Sequence, residues 1–322
     1  MKEIRLAVVG IGKWGINHVR TAYDLLKHNL RIVCDSNNQK EKEIKNISES
    51  IKFTTDLNSI LSDRQINAVI ISTPAQTHYD IAKKLLINKK HILVEKPITL
   101  FANEAKELIK LSKQYRRKLM VGHVLLYHPA ITKLKTMISE GIIGEIQYIY
   151  SNRLNLGSVR SEENILWSFA PHDISIIQYL LVRKPIYIDA YGANFLQKNI
   201  EDTTLTYLKY ADNIHAHIFV SWLHPFKEHR LVIIGSKGMF VFEDSYGEDK
   251  LKYYPKGFIQ IDGKLAKFEG EFKTIDFDKC EPLKEEQKHF FKSILYNKEP
   301  LTNGNHALDV LRILEEAQKK TI

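Results

Sequence analysis

The feature that most constrains the fold is a glycine-rich turn that follows an apolar run and opens an amphipathic segment. Residues 4–9 are mostly apolar and predict a buried strand, and residues 13–27 carry apolar side chains at helical spacing. The turn between them reads Gly10-Ile11-Gly12-Lys13-Trp14-Gly15, which matches the spacing G-x-G-x-x-G. A strand, a glycine turn and a helix in this order predict the first crossover of a parallel sheet.

The same alternation of apolar runs and amphipathic segments continues to about residue 121. Further strands are predicted at 30–34, 68–72, 91–94 and 118–121, and further helices at 79–87 and 102–114. Strands separated by helices predict a doubly wound parallel sheet of the Rossmann type. We therefore expect an α/β domain over residues 1–121.

The pattern changes after Gly122, where extended segments follow one another with only turns between them. A strand at 145–153 and helices at 129–139 and 174–181 come first. Extended segments are then predicted at 186–191, 203–210, 215–222, 230–234, 239–243 and 251–254, and helical periodicity returns at 283–295 and 307–318. Residues 122–322 are therefore expected to form an α+β domain with an open, mostly antiparallel sheet.

The glycine turn has the form of a dinucleotide-binding fingerprint, because its backbone N–H groups and the start of its helix would face a pyrophosphate. The candidate contacts are Gly10, Ile11, Gly12, Lys13 and Trp14. Asp35 ends the second predicted strand, where a carboxylate would hold ribose hydroxyls and repel a 2′-phosphate. This predicts NAD rather than NADP as the cofactor. The alternative is that Asp35 only caps the turn that follows it.

Composition narrows the class of protein. The 322 residues have a formal net charge of +9 and a pI of about 9.2, but basic residues alternate with acidic ones, as at 40–43. That pattern is typical of solvated helix faces rather than a nucleic-acid groove, although the excess charge suits an anionic substrate. Cys34 and Cys280 lack zinc-ligand spacing, and no ligand cluster predicts a metal. No signal peptide or membrane span is predicted, so we expect a cytoplasmic protein.

Two further motifs carry a family resemblance. Ser72-Thr73-Pro74-Ala75-Gln76-Thr77-His78 is similar to a TPxxxH segment, and Lys90-His91-Ile92-Leu93-Val94-Glu95-Lys96-Pro97 is similar to a GKHVxxEKP segment. Together with the glycine turn they resemble the Gfo/Idh/MocA family of oxidoreductases. The resemblance implies an NAD(P)-dependent dehydrogenase that acts on CH–OH groups. It also implies a second domain whose sheet forms a homodimer or homotetramer, and a last helix, at about 305–320, that packs back on the first domain.

The same resemblance assigns roles at the cofactor site. Lys96 is implied to be the catalytic lysine, and Glu95 and the Thr73–Pro74 backbone to lie near the nicotinamide ribose, with His78 in the same site. An ammonium at the end of a parallel strand can donate to a reacting hydroxyl and stabilise negative charge on its oxygen. Taken alone, a lysine after a strand is usually a surface residue.

A second catalytic residue is implied in the segment Trp167-Ser168-Phe169-Ala170-Pro171-His172-Asp173. His172 matches the family's catalytic histidine, and an imidazole can accept the proton that alcohol oxidation releases. The alternative is a histidine at a helix start, marked by Pro171 and Asp173. Many family members carry an Asp where this chain has Ser168, so either Lys96 and His172 suffice, or Asp173 or a substrate group assists.

The segment Gly122-His123-Val124-Leu125-Leu126-Tyr127-His128-Pro129 resembles the connection between the two domains of the family. His123 and Tyr127 would then flank the nicotinamide and the substrate. His128, before Pro129, is interpreted as structural.

Segments 152–157, 167–173 and 221–228 resemble a narrower branch of the family. The resemblance implies oxidation of carbon 3 of UDP-N-acetylglucosamine or of its uronic acid. The ketone product would then be used by an aminotransferase to build a 3-amino sugar for lipid A or surface polysaccharide. Arg153 would hold a pyrophosphate bidentately and Asn155 would bind sugar groups. Trp167 or Trp222 would pack on a sugar face. The alternatives are an Arg in a surface pair, strand asparagines and core tryptophans.

Two other functions remain open from the sequence. One is an inositol or free-sugar dehydrogenase of the same fold. The other is a dinucleotide-sensing regulatory protein without turnover, against which the presence of Lys96 and His172 argues.

Overall fold

The computed structural model describes residues 3–245 and 250–321. The chain divides into two compact units, each assembled from two stretches of sequence. The first unit consists of Met1–Tyr127 and Cys280–Leu311, and the second consists of His128–Lys279 and Arg312–Ile322.

The first unit contains a six-stranded sheet in which every pair of neighbours is parallel. Its strands are β1 (Leu6–Val9), β2 (Leu30–Cys34), β3 (Lys52–Thr54), β4 (Ala68–Ile71), β5 (His91–Glu95) and β6 (Leu119–Gly122). The order β3-β2-β1-β4-β5-β6 is that of a Rossmann sheet, with the direction of winding reversed between β1 and β4. The predicted Rossmann fold is therefore confirmed.

Helices of the first unit follow most of these strands. They are α1 (Gly15–Leu26), α2 (Glu41–Lys45), α3 (Asn58–Leu61), α4 (His78–Ile87), α5 (Ala102–Gln114) and, near the C-terminus, α8 (Pro282–Leu295). Helix α9 (Gly304–Gln318) contributes its residues up to Leu311 to this unit. The helical periodicity at 102–114 gave the bounds of α5 correctly, whereas α2, α3 and strand β3 are too short to show a period.

The sheet of the first unit is buried on both faces, which is why its strands are continuous apolar runs. All four residues of β1 are buried, and α1 turns Ile16, Val19 and Ala22 towards the same core. Phe290 and Ile294 of α8 join this core. Burial of each of these Ile, Val and Phe side chains stabilises the unit by roughly 1.5–3 kcal/mol.

The second unit contains an eight-stranded sheet in the order β16-β13-β12-β11-β7-β10-β9-β8. Its strands are β7 (Ile146–Leu156), β8 (Tyr187–Ala193), β9 (Thr203–Lys209), β10 (His215–Ser221), β11 (Leu223–Gly235), β12 (Met239–Glu243), β13 (Leu251–Tyr254) and β16 (Lys273–Thr274). Only β10 and β7 pair in parallel among the described strands of this sheet. This confirms the predicted open, mostly antiparallel sheet.

One face of this sheet is covered by α7 (Ile165–Leu181), and α6 (Pro129–Ser139) lies beside α7. Strand β10 shows the result, since Ala216, Ile218 and Val220 are buried while His217 and Phe219 on the other face are only half-buried. A separate hairpin pairs β14 (Lys256–Ile261) with β15 (Lys264–Glu269).

Two sequence-based expectations for the second unit were wrong, and one hairpin was missed. Helix α7 begins at Ile165 rather than at about 174, because Asn164 caps it by accepting from the Trp167 N–H at 3.2 Å, and Pro171 lies inside the helix. Strand β11 begins at Leu223, with a register shift between Leu223 and Glu228 that accommodates a proline. The hairpin of β14 and β15 was not predicted.

Within the described residues, none of the helices combines the length and the apolar character needed to cross a bilayer.

Candidate active site

The glycine turn lies between β1 and α1, and the space available to a side chain differs among its three glycines. Gly10 has a φ of +86°, and a Cβ there would lie 2.7 Å from a Thr73 methyl carbon. A Cβ on Gly15 would lie 2.2 Å from the Gly10 carbonyl oxygen, so the fold itself requires both residues. A Cβ on Gly12 would meet nothing within 4 Å. The open space at Gly12 is therefore available to a ligand.

Asp35 directly follows β2 and is joined to the glycine turn. One carboxylate oxygen accepts from the Ile11 N–H at 2.7 Å, and the other accepts from the Asn37 N–H at 2.9 Å. The bond from Asn37 caps the turn after β2, which is the alternative role of Asp35 that the sequence left open. A carboxylate offers about four lone-pair directions, so Asp35 retains capacity for hydroxyl donors.

The segment after β4 is held in place by a buried histidine. The ring nitrogens of His78 lie 2.7 Å from the Pro97 carbonyl oxygen and 2.9 Å from the Thr73 carbonyl oxygen. Burial lowers the pKa of His78, although both carbonyl contacts oppose the shift. Thr73 is half-buried and Pro74 is exposed, whereas His78 is 1% exposed. Its described contacts therefore make His78 a positioning residue for Thr73 rather than a direct cofactor ligand.

Glu95, the last residue of β5, connects the glycine turn with the motif that carries Lys96. Its Oε1 accepts from Trp14 Nε1 at 2.8 Å and lies 2.8 Å from His18 Nε2. Burial raises the pKa of this carboxyl, but the hydrogen bonds from His18 and Trp14 outweigh it, so the pKa lies below its usual value. A Cβ on Gly122 would lie 2.9 Å from the same oxygen, which explains the glycine at the end of β6.

Lys96 follows Glu95 at the carboxyl end of β5 and is half-buried. Its backbone N–H donates to Glu95 Oε2 at 3.2 Å, and its peptide bond to Pro97 is cis. The positive charge of Lys96 contributes to lowering the pKa of both His78 and His123. Lys96 is therefore connected to Trp14 of the glycine turn through Glu95, and its charge acts on both histidines.

His123 and Tyr127 lie just after β6, but their surroundings differ. His123 is 2% exposed, packs edge-to-face on His306 and has no hydrogen-bond partner for either ring nitrogen among the described residues. Burial, His306 and Lys96 hold its pKa well below the usual value. The Tyr127 hydroxyl lies 3.0 Å from Thr302 Oγ1 within the core. The expectation that Tyr127 contacts substrate is therefore not supported by its described contacts.

His172 lies in the middle of α7, half-buried, rather than at a helix start. Ser168 precedes it by one helical turn and therefore shares its face of the helix. The carboxylate of Asp173, the next residue, is bound by Arg153 and Ser151. The expectation that Asp173 assists His172 is therefore not supported.

Arg153 of β7 and Asp173 form a buried bidentate ion pair, with Arg153 Nε 2.8 Å from Oδ2 and a second guanidinium nitrogen 3.0 Å from Oδ1. Ser151 donates to Oδ1 at 2.6 Å. Arg153 is 8% exposed and Asp173 is 1% exposed. The predicted role of Arg153 as a bidentate pyrophosphate ligand is not supported, because the two-pronged face of the guanidinium is occupied by Asp173.

Three other residues of the second unit were candidates for contact with a sugar, and their surroundings differ. Trp167 is half-buried and donates from Nε1 to Gln318 Oε1 at 3.1 Å. Trp222 is 1% exposed and donates to Asp202, so it is a core tryptophan. Asn155, near the end of β7, has a buried Oδ1 without a hydrogen-bond partner among the described residues. Asn155 is therefore the stronger of the polar candidates for a substrate contact.

The sequence did not single out three residues that complete the first unit's site. His18, Gln287 and Glu286 are buried, and one atom each of His18, Glu95 and Glu286 lies within 4.8 Å of the others. No sequence spacing could have revealed this grouping, since its members come from α1, β5 and α8.

Comparison with known families covers both units. Residues 4–123 match the Gfo/Idh/MocA oxidoreductase family with an NAD-binding Rossmann fold. Residues 131–241 match the Gfo/Idh/MocA C-terminal domain. The match confirms the predicted NAD-binding domain.

Individual relatives are distant and carry different activities. UDP-N-acetylglucosamine 3-dehydrogenase of Acidithiobacillus ferrooxidans is 28% identical over 193 residues, which are 60% of this chain and 59% of that protein. scyllo-Inositol 2-dehydrogenase (NAD+) of Bacillus subtilis is 27% identical, with 73% and 72% covered. 2,7-Anhydro-N-acetylneuraminate hydratase of Escherichia coli is 25% identical, with 73% and 66% covered. The aligned parts of the first and third proteins span less than two thirds of those proteins.

A solved structure of the Acidithiobacillus dehydrogenase covers 100% of this chain and 98% of its own, with a TM-score of 0.85 and 21% identity. At that identity the likeness concerns the fold. The two family matches, over residues 4–123 and 131–241, show that this chain belongs to the Gfo/Idh/MocA family of oxidoreductases.

Proposed function

We propose that the chain is an NAD-dependent dehydrogenase that oxidises one hydroxyl group of a sugar, with carbon 3 of UDP-N-acetylglucosamine as the first substrate to test. The observation that carries the proposal is the Glu95 carboxylate, which joins Trp14 of the glycine turn to the strand end that presents Lys96. A dinucleotide-binding turn and a positioned ammonium at neighbouring strand ends suit hydride transfer from an alcohol.

The residues present fit a nicotinamide dinucleotide. Gly12 leaves open space beside the first turn of α1, whose N–H groups have no acceptor within the helix. Asp35 presents a carboxylate at the end of β2, which favours unphosphorylated ribose and therefore NAD over NADP. When bound, NAD supplies the acceptor for the hydride.

Lys96 and His172 divide the remaining chemistry in this proposal. Lys96 donates a hydrogen bond to the reacting hydroxyl oxygen and stabilises the negative charge that develops there. His172 accepts the hydroxyl proton, while the hydride leaves the same carbon, so that the alcohol becomes a ketone. These roles rest on the family resemblance of the two motifs, and the burial of Asp173 with Arg153 leaves His172 to act without that carboxylate.

The choice of sugar nucleotide rests on the resemblance of three segments of the second unit and on the Acidithiobacillus relative. The unpartnered Asn155 Oδ1 and the half-buried Trp167 are the side chains that we propose for sugar contact. The ion pair of Arg153 removes one argument for a substrate that contains a pyrophosphate. The uronic acid of UDP-N-acetylglucosamine, inositol and free sugars are therefore tested as substrates as well. The inositol relative gives the second candidate its own support.

The test is a substrate panel with two readouts. NADH or NADPH absorbance is followed with UDP-N-acetylglucosamine, its uronate, myo-inositol and glucose, with an aminotransferase as a trap for a 3-keto product. Mass spectrometry of each mixture detects net gain of water, since one relative is a hydratase and would give no NADH signal. NADH formation with a sugar supports the proposal. NAD binding without any product from a broad polyol panel would instead favour a dinucleotide-sensing protein.

Oligomer formation is proposed through the open face of the eight-stranded sheet. Tyr150 stacks on His217 there, and Tyr207 and Leu205 are half-buried or exposed on neighbouring β9. An aromatic face of this kind is typical of protein interfaces. Light scattering that gives a dimer or tetramer, lost when Leu205 is changed to Asp, supports this part of the proposal, and a monomer at micromolar concentration contradicts it.

A further inference from the structure

Three ionisable side chains from three elements of the first unit meet in a buried cluster. They are His18 of α1, Glu95 of β5 and Glu286 of α8, and one atom of each lies within 4.8 Å of the others. His18 and Glu286 are both 0% exposed. The proposed function uses Glu95 but gives Glu286 no role.

The hydrogen bonds of His18 determine which ring nitrogen donates and which accepts. The Gln287 side-chain nitrogen lies 3.1 Å from His18 Nδ1 and 3.1 Å from the His18 carbonyl oxygen. A carbonyl oxygen only accepts, so this nitrogen is a donor and Nδ1 is an acceptor. The ring proton is therefore on Nε2, which donates to Glu95 at 2.8 Å. In this arrangement both ring nitrogens of His18 are occupied, Nδ1 by the Gln287 amide and Nε2 by Glu95, so neither faces Glu286 as a hydrogen-bond donor.

Glu95 is the carboxylate of the cluster that stays ionised. It accepts from Trp14, from His18 and from the Lys96 backbone N–H, and the charge of Lys96 also favours its ionised form. Three donors and a nearby ammonium compensate its negative charge. The part of the chain that the structure describes offers no comparable set of donors to Glu286.

Neither carboxyl oxygen of Glu286 has a hydrogen-bond partner among the described residues. Burial and the charge of Glu95 both raise the pKa of Glu286 well above its usual value. A second carboxylate here would be removed from solvent, would lack a donor among the described residues and would repel Glu95. A proton on Glu286 removes both problems.

We propose that Glu286 is a positioning residue that stays a neutral carboxylic acid and turns its O–H towards the Glu95 carboxylate. Glu95 thereby keeps the orientation from which it holds Trp14 and the backbone of Lys96. The functional part of this inference rests on the proposed function, whereas the state of Glu286 does not.

A bound cation would be another way to neutralise two buried carboxylates. His18 offers it no lone pair, because Nε2 carries the proton and Nδ1 accepts from Gln287. The cluster therefore suits a proton better than a metal ion, and metal content becomes an outcome of the test.

The first arm of the test compares wild type with Glu286→Gln, which copies a neutral acid in shape. Glu285→Gln, on the preceding residue of α8, is the matched control because Glu285 forms a partly exposed pair with Lys288. At neutral pH the infrared difference spectrum should contain the carbonyl band of a protonated acid that is present in wild type and in the control and absent from Glu286→Gln. Absence of that band from wild type overturns the proposal.

The second arm measures urea unfolding against pH. An ordinary glutamate ionises at about pH 4.3 in the unfolded chain, while folded Glu286 stays protonated, so folding takes up a proton above that pH. The stability of wild type should therefore fall relative to Glu286→Gln as pH rises from 5 to 8. Glu95, Lys96 and His18 face this group in both proteins, as do the charges of α8, and so largely cancel. A difference that does not change with pH overturns the proposal.

The third arm uses kinetics and metal analysis. Glu286→Ala should lower kcat on the order of tenfold and raise KM for NAD, because Glu95 loses its support, while Glu286→Gln should restore both values. Loss of activity in the Gln variant as deep as in the Ala variant, or a stoichiometric metal that Glu286→Gln removes, overturns the proposal. If wild type oxidises no sugar, the proposed function fails, and the infrared and unfolding arms still decide the state of Glu286.

Discussion

The two units of this chain hold their polar side chains in different ways. In the first unit, polar groups gather at the carboxyl ends of parallel strands and keep unused capacity, as Asp35 and the open space at Gly12 show. In the second unit, Arg153, Asp173 and Ser151 satisfy one another inside the fold. Unused capacity at a strand end is typical of a ligand site, whereas a closed set of partners is typical of structural support.

The difference between the units distinguishes two residues, Asp35 and Arg153, to which the sequence assigns the same kind of role. Asp35 and Arg153 were both predicted to bind a ligand through a charged group. The structure leaves Asp35 able to accept further donors but commits Arg153 to Asp173. Four substitutions test this difference between the two units.

The largest effect is expected for His172→Ala. If the second unit supplies the proton acceptor, kcat should fall about 10²- to 10⁴-fold, because general-base catalysis contributes in that range. The NAD dissociation constant, measured by fluorescence titration, should stay within about twofold of wild type. A near-normal kcat would remove His172 from the mechanism, and a weakened NAD affinity would show that it acts on the cofactor.

Arg153→Ala should destabilise the protein by about 3–5 kcal/mol, because it leaves the buried carboxylate of Asp173 without its cation. Urea unfolding measures the loss, and the double variant with Asp173→Leu should regain part of it because the unpaired charge is then gone. Wild-type stability combined with a raised KM for the sugar nucleotide would contradict the structural role and restore Arg153 as a pyrophosphate ligand.

His306→Gln tests the buried histidines of the first unit. Burial lowers the pKa of His306 to about 4, against about 6.5 when unfolded. The resulting stability is present above pH 6.5 and is lost as pH falls through 4, so acidification should cost wild type up to about 3 kcal/mol that the variant does not lose. Unfolding midpoints of both proteins between pH 7 and pH 4 check this. Parallel curves would mean that His306 titrates normally.

The smallest effect is expected for Asp35→Asn. The amide keeps one acceptor oxygen for the Ile11 N–H but loses the charge that disfavours a 2′-phosphate. The preference for NAD over NADP should fall by about tenfold, or 1.4 kcal/mol. The ratio of the two dissociation constants measures it. An unchanged ratio would mean that Asp35 only caps its turn.

Much of the first unit could be predicted from the sequence because its signals are local. The apolar run at 30–34 and the helical period at 102–114 coincide with β2 and α5. The glycine turn could be read directly, since Gly10 and Gly15 meet requirements of the backbone. A backbone requirement is visible at a single position, which makes it readable without the rest of the fold.

Other local signals were present but misinterpreted. Asn164 was available as a helix cap, but Pro171 was given more weight, although a buried helix can contain proline. The hairpin of β14 and β15 turns at Asp262 and Gly263, both with positive φ, and an Asp-Gly pair is a known hairpin signal. These errors concern the weight given to each signal.

Side-chain partnerships could not be predicted from the sequence. Arg153 and Asp173 lie on a strand and a helix, and His18, Glu95 and Glu286 come from three distant elements. Their meeting depends on tertiary packing, which no spacing in the sequence encodes. That is why the pyrophosphate role of Arg153 was expected and the role of Glu286 was not.

The Lys96→Ala variant, with NAD affinity and kcat measured on the same preparation, tests the role of Lys96 most directly. We expect kcat to fall by about three orders of magnitude or more while the NAD dissociation constant stays within about twofold of wild type. Turnover close to wild type would contradict the central claim that the ammonium at the end of β5 acts on the reacting hydroxyl.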